Sequence, residues 1–428
     1  MFGNTGHIHT TYGGLFISIL FYILTSYFNP YSMTGNNRIL SIDIMRGMTL
    51  VLMLFVNDLY MPGVPSWLGH QAANFDGMGL ADWVFPGFLF MVGMAIPFSI
   101  GKRISEGQPA NNIIRHIVIR SVSLIIIGVL MLNSGRVNPE FTHIGKNLWA
   151  ILMYIGVFLI WNTYKENDKN FFTIAGLKLL GVALIVFLVF KFHSGEIDNN
   201  GSLITSWWGI LGLIGWGYLV AALVYLVVKN SILNTVVAFL FFLAMNILSK
   251  LDLLNTLNPA KPILGVIIEG NVPLIVLSGM LTTLILKKYS KIGYRRTIII
   301  IVAIGIVSLI AGFVLRKWFI ISKIQATPSW GLICNGISMI LFALLYWIID
   351  IKKQIKWTFF LKPAGENSLT TYLAPDIVYY LIWSTGIPIL IYKQSGVPLI
   401  VIAGSIIWAL LMVALTALLV RFNIKLKL

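Results

Sequence analysis

The stretch that decides the fold runs from Arg38 to Arg103: RILSIDIMRGMTLVLMLFVND (38–58), a loop, then GLADWVFPGFLFMVGMAIPFSIGKR (79–103). Each apolar run is close to the ~20 residues that a helix needs to cross a bilayer. The loop between them carries Trp67, His70, Asn74 and Asp76, with Asn57 and Asp58 before it and Asp82 just after. No other part of the chain gathers polar and reactive groups so densely. Asp43 and Arg46 stand three apart in the first run, so a helix sets them on one face as an ion pair. The expected unit is a hairpin of membrane helices with a chemically equipped loop.

Composition extends that reading to the whole chain. Of 428 residues, 58% are hydrophobic and 11% charged, against about 25% charged in soluble domains. The net charge of +16 is dispersed between apolar runs, which suits loops facing anionic lipid and argues against a nucleic-acid surface. Cys334 is the only cysteine, so an intramolecular disulfide and a cysteine metal cluster are excluded. It reads as a small buried apolar residue.

The fold class expected is all-α, a polytopic membrane bundle of about 11–13 helices. Twelve runs carry it: 42–60, 80–101, 113–132, 148–162, 170–192, 206–228, 231–248, 263–286, 297–315, 329–350, 367–391 and 397–420. Run 148–162 is short and 367–391 is interrupted by Pro375 and Pro388, so these two are candidates for re-entrant segments. With the first run entering from the cytoplasm, 20 lysines and arginines fall in inward segments and 9 in outward ones. That asymmetry predicts an external His70 loop and a cytoplasmic C-terminus. Residues 1–35 hold an apolar leader or extra span, Tyr12 to Phe28, without the basic start of a secretory signal. Residues 36–428 read as one domain around the hairpin 38–103.

Polar groups at membrane depth are expensive, roughly 2.5–3.5 kcal/mol each on insertion scales, and invite a functional question. An imidazole flanked by carboxylates, as His70 is by Asp76 and Asp82, can serve as a general base at neutral pH. The plainer reading is a solvated loop histidine. Glu269, beside Gly270 and before Pro273, and Asp376, after Pro375, suit a cavity lining or a hydrogen bond to a neighbouring helix. Trp330, Trp207 and Trp208 near run ends read as interfacial anchors. The sequence has no Walker loop, HExxH or GxSxG. A nucleotide-bearing cofactor would rest on scattered inner basic residues.

The motifs themselves resemble a known family. Arg38-x-x-Ser41-x-Asp43-x-x-Arg46-Gly47 is followed by Phe55-Val56-Asn57, then by His70 ahead of Phe75-Asp76-Gly77 and by Ala81-Asp82-x-Val84-Phe85-Pro86. Later pieces are Thr327-Pro328-Ser329-Trp330 and Gly365-x-Asn367-Ser368-Leu369, with Tyr372. Together they resemble the heparan-α-glucosaminide N-acetyltransferase family and its bacterial relatives. The resemblance implies acetyl transfer from cytosolic acetyl-CoA to an amino sugar across a bacterial inner membrane. It implies His70, Asn57 and Asp82 as catalytic residues, with His70 as base or acetyl carrier. Arg46, Arg115, Arg120, Arg295, Arg296, Asn367 and Ser368 are the expected cofactor contacts, with Asn335 and Asp376 candidates along the pantetheine path. Asp58, Trp67, Asp76, Glu269 and Trp330 are the expected substrate contacts, and no metal is implied. Expected partners are the lipid bilayer, acetyl-CoA and the acceptor sugar, with a homodimer allowed and no nucleic acid. A secondary transporter for amino sugars or cell-wall fragments is the rival, since interrupted spans and midplane acids also suit a permease.

Overall fold

The computed structural model describes residues 39–164, 171–196 and 198–428. Arg38, the leader at 1–35, and Lys165 and Lys169 of the charge count lie outside the described residues. The hairpin consists of α1 (Leu40–Asp58) and α2 (Leu80–Ser105). There follow α3 (Ala110–Ser134), α4 (Lys146–Trp161), α5 (Phe171–Phe190), α6 (Gly209–Val228), α7 (Ile232–Lys250), α8 (Lys261–Glu269) and α9 (Asn271–Tyr289). The chain closes with α10 (Tyr294–Leu315), α11 (Pro328–Leu345), α12 (Ser368–Thr385) and α13 (Pro398–Arg421).

The protein is an all-α, multi-pass membrane bundle. Ten described segments are long and apolar enough to span, with α8 and α9 inside one of them (Asn255–Tyr289). The two expected runs outside the ten are α4 and α12, the same two that looked short or interrupted. Sixteen residues of α4 rise about 24 Å, less than the ~30 Å hydrocarbon core.

Burial sorts the helices into a centre and a rim. The apolar stretches of α1, α2, α11 and the α8–α9 segment are 67% buried, those of α5, α7 and α10 only 17%. Helices that are apolar all round yet exposed have lipid as their natural neighbour. In the centre, α2 crosses α9 at Gly93 and Gly279. A Cβ at either would stand 1.8–1.9 Å from a carbonyl oxygen of the other helix, so only glycines permit that approach.

Packing also assigns the connections to two ends. At one end the 59–79 loop meets 316–327, through the bonds of Asp76 to Arg316 and Ile321. At the same end Asp58 meets Tyr392 of the α12–α13 connection. At the other end Asp350 accepts from the N–H groups of Leu40 and Ser41, at 2.9 and 3.0 Å. That carboxylate satisfies two of the donors that begin α1 and suits the positive end of the helix dipole. The C-terminal residues 425–427 bond to 161–163 at the end of α4.

Candidate active site

The site is built on the first turn of α2. Asp82 Oδ2 accepts from the N–H of Gly79 at 3.0 Å and of Gln71 at 3.1 Å. Its Oδ1 meets His70 Nδ1 at 2.8 Å. One carboxylate thus caps the helix and grips the loop that bears the histidine. Gly79 makes this possible, since a Cβ there would lie 2.0 Å from the Gly69 oxygen. The Asp82 side chain is 2% exposed and that of His70 47%. In the tautomer that donates Nδ1–H to Asp82, Nε2 holds the basic lone pair.

Two sequence motifs prove to be halves of one joint. Pro86 has no N–H, so the Asp82 carbonyl four residues earlier lacks its helical donor. The Trp330 indole, 3% exposed, supplies that donor at 3.2 Å. One residue on, Trp83 donates to Ser338 Oγ at 3.2 Å. Both bonds tie the head of α2 to α11.

The remaining expected outer residues divide. Asn57 is exposed at the end of α1, and its side chain makes no hydrogen bond among the described residues. Trp67 is 63% exposed. Asp58 is buried and fully engaged by Tyr379, by Tyr392 at 2.7 Å and by Lys393 at 2.7 Å. Asp76 accepts from Ile321 N–H and Arg316 Nε, each at 2.8 Å. The Ile321 N–H and then the Arg316 guanidinium hold its carboxyl below the usual carboxylate value. Glu269 ends α8, half-buried, where Gly270 turns the chain at φ +69°. Its carbonyl accepts from Asn246 at 2.7 Å.

A cavity of about 320 Å³ opens at the opposite end. Arg46, Arg120, Lys427, Asn367 and Ser368 line it, with an apolar wall that includes Met53 and Phe88. From Met53 the rise to Asn57 is about 6 Å, and from Phe88 to Asp82 about 9 Å. Arg46 donates to Asp43 at 3.2 Å, the pair expected from their spacing, and to the Gly365 carbonyl at 3.3 Å. The turn Lys362–Glu366 lies on the α1 backbone, where a Cβ at Gly47 would stand 2.3 Å from Leu361 O and one at Gly365 2.3 Å from Asp43 O. That contact delivers Asn367 and Ser368 beside Arg46. The Arg120 guanidinium stacks on Tyr218, 4.7 Å from the ring centre. Its Nε is buried without a hydrogen-bond partner among the described residues. Arg115, Arg295 and Arg296 are exposed and do not line the cavity. Nor do Asn335, buried on α11 with both amide atoms unpartnered among the described residues, and Asp376, which accepts from Tyr154 of α4.

Lys323 is the residue that sequence reasoning missed, having counted it only as an outward charge. Its Nζ lies 3.2 Å from His70 Nδ1 and 4.0 Å from Asp82 Oδ1. Burial pulls its ammonium below the ordinary lysine range, opposed by the Asp82 carboxylate. The available signal was its place four residues before the Thr327-Pro328-Ser329-Trp330 motif. Among the described residues, no group of three His, Cys, Asp or Glu side chains is arranged to hold a metal ion.

A family model described as a domain of unknown function, DUF5009, matches residues 38–259, just over half of the chain. Heparan-α-glucosaminide N-acetyltransferase of the mouse is 39% identical over 121 residues, which is 28% of this chain and 18% of the relative. The human protein of that name is 32% identical over 143 residues, 33% of this chain and 19% of the relative. The alignments span under a fifth of the length of these curated relatives. With the matched region running from the motif hairpin through α7, the chain belongs to the DUF5009 family and is similar to the heparan-α-glucosaminide N-acetyltransferases.

Proposed function

We propose that the chain is a transmembrane N-acetyltransferase, taking acetyl from acetyl-CoA at the Arg46–Arg120 cavity and delivering it to a glucosamine-type amine at His70. The observation that carries this reading is the His70–Asp82 pair, 2.8 Å apart, with the imidazole half-exposed and the carboxylate buried. The names of the mouse and human relatives support the same chemistry. The charge asymmetry supports a cytoplasmic cavity, a cytoplasmic C-terminus and an external His70 loop.

Acetyl-CoA supplies an activated thioester; the rest falls to side chains. His70 Nε2 removes a proton from the acceptor ammonium, and Asp82 steadies the imidazolium that results. The freed amine forms the amide C–N bond as the thioester C–S bond breaks, and CoA leaves as a thiolate that takes up a proton. Asn57 offers amide donors to the oxygen on which negative charge develops. At the other end Arg46, Arg120 and Lys427 suit phosphate groups, and the buried Arg120 Nε is a donor in want of an acceptor. The 320 Å³ volume lies at the low end of ligand pockets, which suits an acyl-pantetheine arm rather than a whole nucleotide.

The permease reading is less favoured, because the helix break at Gly270 is already occupied. Asn246 and Asn271 fill it with bonds to the carbonyls of Glu269, Ala326 and Thr327. The deciding experiment follows CoA release and glucosamine acetylation together on purified protein in nanodiscs. Arg120→Met should raise KM for acetyl-CoA about tenfold, the loss of one charge-assisted contact, and leave KM for the sugar alone. Arg295→Met should change neither. Accumulation of unmodified sugar without CoA release would replace the enzyme reading with the permease.

A further inference from the structure

Lys323 reaches the His70 pair from 253 residues away in sequence, on a connection that is pinned at both ends. Asp76 holds Arg316 and Ile321, while Ser322 Oγ and Gln325 Nε2 both donate to the Ala73 carbonyl at 2.9 and 2.8 Å. Beyond the lysine, Ala326 takes a left-handed conformation at φ 49°. Its carbonyl accepts from the amides of Asn246 and Asn271, at 3.1 and 3.2 Å. The lysine side chain is 24% exposed, so it is delivered to this place rather than left in solvent.

Its position addresses a problem in the chemistry. A buried carboxylate bonded to an imidazole favours the doubly protonated ring, and such a ring cannot act as a base. A second cation 3.2 Å from Nδ1 works in the opposite sense. The other charged groups around the ring do not remove this effect. Asp82 is shared between imidazole and lysine, Asp76 is matched by Arg316 on the same two loops, and Cys334 behind them is a buried thiol.

We infer that Lys323 is a positioning residue that shares the Asp82 charge and opposes a second proton on the His70 imidazole. The inference rests on the acetyltransferase reading for its purpose, but its test does not need that activity. Diethyl pyrocarbonate acylates only neutral imidazole, so the pH dependence of His70 modification, read by mass spectrometry of its peptide, gives the titration midpoint of the ring. Lys323→Met should move that midpoint up by about one pH unit, a roughly tenfold slower modification on the acid side. Lys323→Arg should stay near wild type. Lys323 Nζ also donates to the Ala81 carbonyl at 3.5 Å, so Lys323→Gln, which keeps a donor there, carries the same test should the Met variant fail to fold. An unshifted midpoint in a folded Met or Gln variant would reduce Lys323 to a loop anchor. A shifted midpoint in a protein that never acetylates would sink the enzyme reading and leave the lysine's role intact.

Discussion

Asp58 and Asp82 are two buried carboxylates on the two arms of one hairpin, at the same end of the bundle, each beside a lysine. Around Asp58, two tyrosine hydroxyls and the Lys393 ammonium take up the oxygens. Around Asp82, two backbone N–H groups and one imidazole do so, and the second nitrogen of that half-exposed imidazole has no hydrogen-bond partner among the described residues. The difference teaches what to ask of a buried acid. One whose partners are all consumed fastens the 386–397 connection to α1. One whose partner retains a free lone pair can pass its charge outward as chemistry.

The comparison breaks most sharply at His70. His70→Ala should lower kcat for acetyl transfer by about 10²–10⁴-fold with only a small fall in thermal melting, because the ring is half-exposed and Asp82 keeps its two backbone donors. Full activity in that variant would return His70 to the solvated-loop reading. Asp58→Ala should do the reverse. Removing one partner from a buried pair costs about 3–5 kcal/mol, and the 28% exposure of Lys393 places the loss near the lower figure. Melting in detergent should fall, while activity per folded molecule stays near wild type. Pairing it with Lys393→Met should recover part of the loss; equal damage from single and double variants would show that the tyrosines alone hold the connection.

The smallest effect belongs to Asp76, whose pair with Arg316 is exposed and so worth little. Its folded pKa is depressed, so its contribution is present above the ordinary carboxylate value near 4 and is lost as pH falls through the lower folded value. The melting difference between wild type and Asp76→Asn should therefore be constant from pH 7 to 5 and close below pH 4. A difference that widened on acidification would reverse that sign.

Much of this was legible in the sequence. Apolar runs of spanning length located the helices, and Pro375 and the shortness of 148–162 marked the two that stand apart. The loop between the motif helices brought His70 and Asp82 together because only a dozen residues separate them. What lay beyond reading were contacts set by how helices pack. Lys393 and Lys323 come from connections hundreds of residues downstream, with no periodicity to announce which acid each would meet. The inner arginines were open to a finer reading. Arg115 and Arg120 are five residues apart on α3, about 140° around the helix, so the two could not both face the cavity that Arg120 lines.

The Trp330–Asp82 bond also sets an order of events during synthesis. When the hairpin leaves the ribosome it already contains Pro86, and the carbonyl of Asp82 has no donor within its own helix. An unsatisfied carbonyl in hydrocarbon costs several kcal/mol, and its partner is translated 248 residues later. Until α11 arrives, that carbonyl depends on water for its hydrogen bond. A chain arrested before Trp330 would therefore hold His70 and Asp82 in sequence while leaving the head of α2 unclosed.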